Sequence, residues 1–259
     1  MLLLNFPLDQ VQAFLFVMVR VAAILFSVPF LDSQSVPVML KAGLTVAVSL
    51  LILPHLPYAA PDLLDRPAQL IIGLAVEAAV GLMIGLIVQL FFAGIQLAGQ
   101  TIGFQMGFSL ANVVDPASSL QIPLLAQFLN IFAMMLFLAF NVHLYFIGAL
   151  SDAFQRIPLW GVQPDQNMFE LLMMLSGNAF VVAVRIGAPV MVALLLTSVA
   201  LGLVARTVPQ MQIFVVAMPL KILLGLFFLG VSLPFCSNFL YEAFIMLGKT
   251  IQSLVGWLT

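Results

Sequence analysis

The sequence predicts an all-α, polytopic membrane-type protein of about six hydrophobic segments in three kinked hairpins. Three observations predict it. Of 259 residues, 64% are hydrophobic and only 7% are Asp, Glu, Lys or Arg, whereas a soluble domain carries roughly 25% charged residues. Two uncharged runs, 78–114 and 116–151, each exceed the roughly 20 residues that cross a bilayer. The apolar runs are continuous rather than alternating with period two, which excludes a membrane β-barrel.

In chain order, the segments expected are 8–31, 36–56, 68–98, 120–150, 169–205 and 211–247, within one integral domain over 1–259. Pro54, Pro57, Pro61 and Pro67 bracket the turn holding Asp62, Asp65 and Arg66. Pro158, Gly161 and Pro164 break the chain between Asp152 and Glu170, where a helix would lose hydrogen bonds and clash with the proline ring. Arg206 and Pro209 separate the last two segments.

The net charge is −2, which provides no basic field for nucleic acid. Cys236 is the only cysteine, so neither an intrachain disulfide nor a cysteine-based metal site can form. The first four residues carry no charge and the first basic residue is Arg20, so neither a cleavable leader nor a soluble domain at either end is expected. Loop cations do not orient the chain. If the segments alternate, Arg66, Arg156 and Lys249 fall on one side and Lys41, Arg206 and Lys221 on the other, a tie under the positive-inside rule. A code this weak points to placement with the help of partner subunits.

Arg20, Glu77, Arg185 and Lys221 lie within or beside apolar stretches, where an unpaired charge costs at least about 2.5–3.5 kcal/mol. Each needs a partner in the chain or a neighbouring subunit, or a wet surface. One chain offers few such partners, so stability only within a hetero-oligomer is expected. Lys41 joins this set of structural or intersubunit charges. In the third segment, with Glu77 at 0° on a helix advancing 100° per residue, Gly81, Gly85, Gln89, Gln96, Gly99, Gln100, Gly103 and Gly107 fall within an arc of roughly 140°. Glycines four apart allow close backbone approach. The glutamines, Gln105 among them, cannot face lipid unpaired, so this stripe packs on protein or lines a water-filled channel.

Gly99, Gly103 and Gly107, followed by Asp115-Pro116 and Pro123, predict a non-helical or loosely wound stretch of about 15–20 residues. Such backbone at membrane depth is tolerated only inside protein or along a cavity, and broken segments of this kind mark transport paths. Phe104, Met106, Phe108, Leu110, Val113 and Val114 would suit a deformable hydrophobic plug. No metalloprotease, nucleophile-elbow, phosphate-loop or dinucleotide motif occurs, so no catalytic residue, metal or cofactor is expected and the chain reads as a non-enzyme. His55 and His143 read as ordinary loop or packing histidines.

Several spaced motifs then resemble one family. These are Arg20, Pro29, Pro37, Lys41 and Pro54 in the first hairpin, and Glu77, Gly81 and Gly85 in the third segment. Next come Ala98-Gly99, Gly103, Gln105, Gly107 and Asp115-Pro116, and finally Val208-Pro209-Gln210-Met211, Ile213-Phe214 and Pro219-Leu220-Lys221 through Gly225. Over essentially its full length the chain resembles the FliR/SctT family of type III secretion export-gate proteins. The resemblance implies a FliP-like unit followed by a FliQ-like hairpin, in a gate built with FliP and FliQ in the bacterial inner membrane at the flagellar basal body. Unfolded flagellar subunits would pass through it, with FlhB around the gate and FlhA and the export ATPase below. It also implies a pore plug at about residues 106–120, comprising Met106, Gly107, Phe108, Ser109, Leu110, Ala111, Asn112, Val113, Val114, Asp115 and Pro116. Two other readings compete. A virulence injectisome homologue would differ in its substrate, and a small-solute secondary transporter would require internal repeats and clustered intramembrane carboxylates.

Overall fold

The computed structural model describes residues 8–28, 36–56, 66–108, 123–157, 166–207 and 213–257. Among them are seven α-helices, one 3-10 turn and no strand. The helices are α1 (Leu8–Ser27), α2 (Val38–Ile52), α3 (Pro67–Met106), α4 (Leu124–Ala139), α5 (Val142–Arg156), α6 (Gln166–Thr207) and α7 (Ile213–Trp257), with the 3-10 turn Leu53–His55 closing α2. Among the described residues, five stretches are long and apolar enough to cross a membrane: Gln10–Ser27, Val38–His55, Pro67–Met106, Met173–Thr207 and Val215–Ser253. The protein is therefore an all-helical polytopic membrane protein.

Prolines set several helix starts. Pro67 is the first residue of α3, where its missing N–H is one that the first turn leaves unpaired anyway. Pro37 and Pro123 immediately precede α2 and α4. Pro189 lies inside α6, and Pro219 and Pro234 lie inside α7.

The chain forms two compact units. The first takes Met1–Leu90, Asn141–Leu175 and Ile245–Thr259. Its buried residues include Val17, Val21, Ile24, Ile84, Phe154 and Ile157, and α1 packs against α2. In α2 the usual amphipathic logic is inverted. Its buried residues are Lys41, Thr45 and Ser49, whereas Met39, Leu40, Leu50 and Leu51 are exposed. The two hydroxyls donate to the carbonyls of Lys41 and Thr45, four residues back, at 2.8 and 2.7 Å, so neither needs an external partner.

The second unit takes Phe91–Phe140 and Ser176–Phe244. Phe91, Phe92, Phe137 and Phe244 form its aromatic centre, with ring centroids 5.1–6.3 Å apart across several tilted and edge-to-face pairs. Cys236 on α7 is buried, and its thiol donates to the Ile186 carbonyl at 3.8 Å.

Two features differ from the sequence expectation. The loosely wound stretch expected from Gly99 onward is regular α-helix as far as Met106. Packing overrides the weak helix propensity of glycine there, because Gly99 fits where a side chain could not. Within 120–150, the chain makes two helices, because Phe140 ends α4 and Asn141 adopts a left-handed conformation with φ 55°. Asparagine is one of the few residues that visits this region readily.

Candidate functional site

Arg20 and Glu77 are both fully buried. The Arg20 Nε donates to the Glu77 carboxylate, and Nη1 donates to the Ile157 carbonyl at 3.2 Å. The Phe154 ring lies under the guanidinium at 4.8 Å. Ile157 is the residue that ends α5, so Arg20 joins α1 to α3 and also satisfies a carbonyl at a helix end, which the helix itself cannot do. Its Nη2 has no partner among the described residues. Removing one member of a buried pair costs about 3–5 kcal/mol, since the other charge is left stranded. Arg20 thus takes the first of the expected alternatives, a partner inside the chain.

The remaining cations differ. Lys41 is buried, with Nζ 5.7 Å from the centre of the Phe26 ring. Arg185 is exposed and its guanidinium lies 5.7 Å from the Phe239 ring. Lys221 is half-buried. None of these three has an ion-pair partner among the described residues.

The small and amidic arc of α3 divides into a packed edge and an open edge. Gly81 is buried, and a methyl built on it would meet the Arg20 carbonyl oxygen and Ala23 Cβ at 2.6 Å. Gly85 leaves the same kind of space for the Ser27 side chain, and Gly99 for the backbone of Leu125 and Ala126. Gly103 is looser, with Leu125 Cδ1 at 3.7 Å from such a methyl. On the other edge Gln89 and Gln100 are exposed. Gln96 lies between, half-buried, with Nε2 donating to Asn130 Oδ1 at 3.4 Å. Gln105 is off this arc, and its Oε1 is buried without a partner among the described residues.

The end of α3 is built from local rules. Gly107 has φ 93°, the left-handed geometry that glycine adopts without penalty. Its N–H donates to the Phe104 carbonyl and that of Phe108 to the Gly103 carbonyl, both at 3.1 Å. These two bonds make a Schellman stop. Met106, just before it, is fully buried, and its terminal methyl occupies the space that a side chain on Gly225 would fill. Phe108 is exposed. Residues 109–116 of the expected plug lie outside the described residues, as do Pro209 and Gln210. Pro219 is exposed inside α7.

Sequence reasoning missed Ile157, Phe154, Asn130 and Gly94, and it named Gly225 only as the end of a family motif. Gly94 is packed so closely that a methyl on it would lie 2.5 Å from the Ala179 carbonyl oxygen. The polar partners carried no signal beyond being polar or aromatic in an apolar chain. Gly94 and Gly225 are buried glycines of the kind that permit helices to approach, but neither sits in the spaced stripe.

Among the described residues, no group of three or more His, Cys, Asp or Glu could hold a metal ion. The geometry defines a class: a polytopic helical membrane protein whose buried polar groups join helices. Residues 11–247 match the family described as bacterial export proteins, family 1. The chain is 34% identical over 252 residues to the flagellar biosynthetic protein FliR of Escherichia coli strain K12, covering 95% of each chain. It is 33% identical over 256 residues to FliR of Bacillus subtilis strain 168, covering 98% of each, and 26% identical over 238 residues to FliR of Aquifex aeolicus. The chain belongs to this FliR family of bacterial export proteins, a family of non-enzymatic membrane proteins.

Proposed function

We propose that this chain is a pore subunit of the flagellar type III protein-export gate in the bacterial inner membrane, at the flagellar basal body. In this reading it passes unfolded flagellar subunits and helps to close the channel. Its helices form kinked hairpins, a FliP-like unit followed by a FliQ-like hairpin, in a single integral assembly unit. It assembles with FliP-like and FliQ-like subunits and meets FlhB-like and FlhA-like export components. Likeness to FliR over 95% of the chain supports the flagellar setting.

The observation that carries the closure role is the end of α3. A helix seated by Gly99 on α4 and by Met106 on α7 stops at the left-handed Gly107. The sequence then continues as Phe108, Leu110, Val113 and Val114 up to Asp115-Pro116. A rigid support followed by an apolar, breaker-rich segment suits a plug, because an apolar constriction seals by dewetting whereas polar residues would hold a water column. Gln89 and Gln100, exposed on α3, suit a wall facing water or a partner rather than lipid.

The test is conductance of the assembled gate reconstituted in bilayers. Deleting residues 108–114 while retaining Gly107 and Asp115-Pro116 is expected to raise small-ion leakage with the complex still assembled. An intact complex with unchanged leakage removes the closure role.

A further inference from the structure

In the first hairpin the described hydroxyls bond within their own helices. Ser27 donates to the Ala23 carbonyl at 2.7 Å, Thr45 and Ser49 donate within α2, and the Lys41 ammonium faces the Phe26 ring of the neighbouring helix. Arg20 instead draws its polar contacts from outside the hairpin: Glu77, 57 positions later, and the Ile157 carbonyl, 137 positions later. It lies near the middle of the Gln10–Ser27 apolar span. Glu77 lies roughly 15 Å along α3 from Pro67 at a 1.5 Å rise per residue. Neither charge is near the end of its helix, where a long side chain could reach the interface.

The contact beside the pair is specific in register. Glu77, Gly81 and Gly85 follow one another by single helical turns on α3. They meet Arg20, then Arg20 and Ala23, then Ser27 on α1. Sliding α3 by about one turn would set a non-glycine side chain where only Gly81 or Gly85 now fits, and would separate the two charges. If the segments alternate as the sequence leads one to expect, the cations divide equally between the two sides and give the chain little orientation of its own.

We infer that the Arg20–Glu77 pair is a placement latch. The position and orientation of α1 in the membrane become fixed only when α3 arrives, bringing the carboxylate that neutralises Arg20 and the two glycines that admit α1 in one register. The pair thereby does for the first hairpin what the positive-inside rule does in other membrane proteins. This inference concerns placement of the chain and stands independently of the plug.

The test uses the full chain, co-expressed with its gate partners and carrying an N-terminal epitope that a protease can remove from one side of the membrane. In the parent chain the epitope is expected on a single side. Glu77→Leu strands Arg20 and is expected to raise the wrong-side fraction at least about fivefold. Adding Arg20→Leu to Glu77→Leu removes the need for neutralisation and is expected to return that fraction to within about twofold of the parent, the coupling that a double-mutant cycle isolates. The exchange Arg20→Glu with Glu77→Arg should restore it likewise. If Glu77→Leu alone is degraded, the two double variants decide: full-length chain with a one-sided epitope supports the latch, and continued degradation overturns it. A one-sided epitope in Glu77→Leu, or double variants as scrambled as the single one, also overturns it.

Discussion

Helices α3 and α7 are alike in length and apolarity but differ in how much of each the chain covers. An apolar 18-residue stretch of α3 is 44% buried and one within Val215–Ser253 of α7 only 17%. The first carries Glu77 and a row of glycines, of which Gly81, Gly85 and Gly99 meet Arg20, Ala23, Ser27 and Ala126, while Gln89 and Gln100 stay exposed on its other edge. The second points Val215, Leu223, Phe227, Val231 and Phe235 outward, and its Lys221 has no ion-pair partner among the described residues. In lipid, large apolar side chains gain little from being buried against one another, whereas close backbone contact and polar pairing hold helices together. The chain therefore packs the glycine edge of α3 by itself and leaves most of α7 to lipid or to neighbouring subunits.

Substitutions can sharpen this contrast, beginning with the largest effect. Gly99→Leu drives a side chain into the Leu125–Ala126 backbone and should cost at least about 3 kcal/mol, at the upper end of overpacking penalties. Gly103→Ala, where a methyl meets nothing closer than 3.7 Å, should be nearly silent. Thermal aggregation midpoints of the detergent-extracted complex compare the two, and equal losses would show that the packed and open parts of α3 are not distinct. Gly107→Ala forces a left-handed residue to carry a side chain and should cost about 1–2 kcal/mol. Its readout is a lowered midpoint with Gly99 contacts intact, and an unchanged midpoint would mean that the stop can be rebuilt. The smallest effect on the chain's own fold is expected on α7: Leu223→Ala, at an exposed position, should change it by less than about 0.5 kcal/mol. The same change should lower the yield of assembled complex in co-purification, and undiminished assembly would assign that face to lipid alone.

Helix class and the membrane-length segments were legible because continuous apolar runs have few alternatives, and Gly81 and Gly85 announced close approach by their spacing. The break at Asn141 was not legible, because apolar residues continue on both sides and one left-handed asparagine makes the turn. The regular helix through Gly99 was hidden for the opposite reason: its local propensity is poor, and only the Ala126 backbone lying against it explains why glycine stands there. The inward polar face of α2 had a readable signal, since Lys41, Thr45 and Ser49 recur every fourth residue. Of the charges, Glu77 and Arg20 could be recognised as needing partners, but their pairing across 57 positions required the fold.

The contrast between the packed glycine edge of α3 and an uncovered α7 is tested most directly by the mass and protease resistance of the detergent-extracted protein, made alone and together with FliP-like and FliQ-like subunits. Partners that bind only the folded chain stabilise it by mass action. The expected result is a heterogeneous, protease-sensitive chain when made alone and a monodisperse hetero-oligomer of defined mass when made with partners, with α7 protected from cleavage only in the latter. A monodisperse, protease-resistant monomer from the chain made alone would contradict the account.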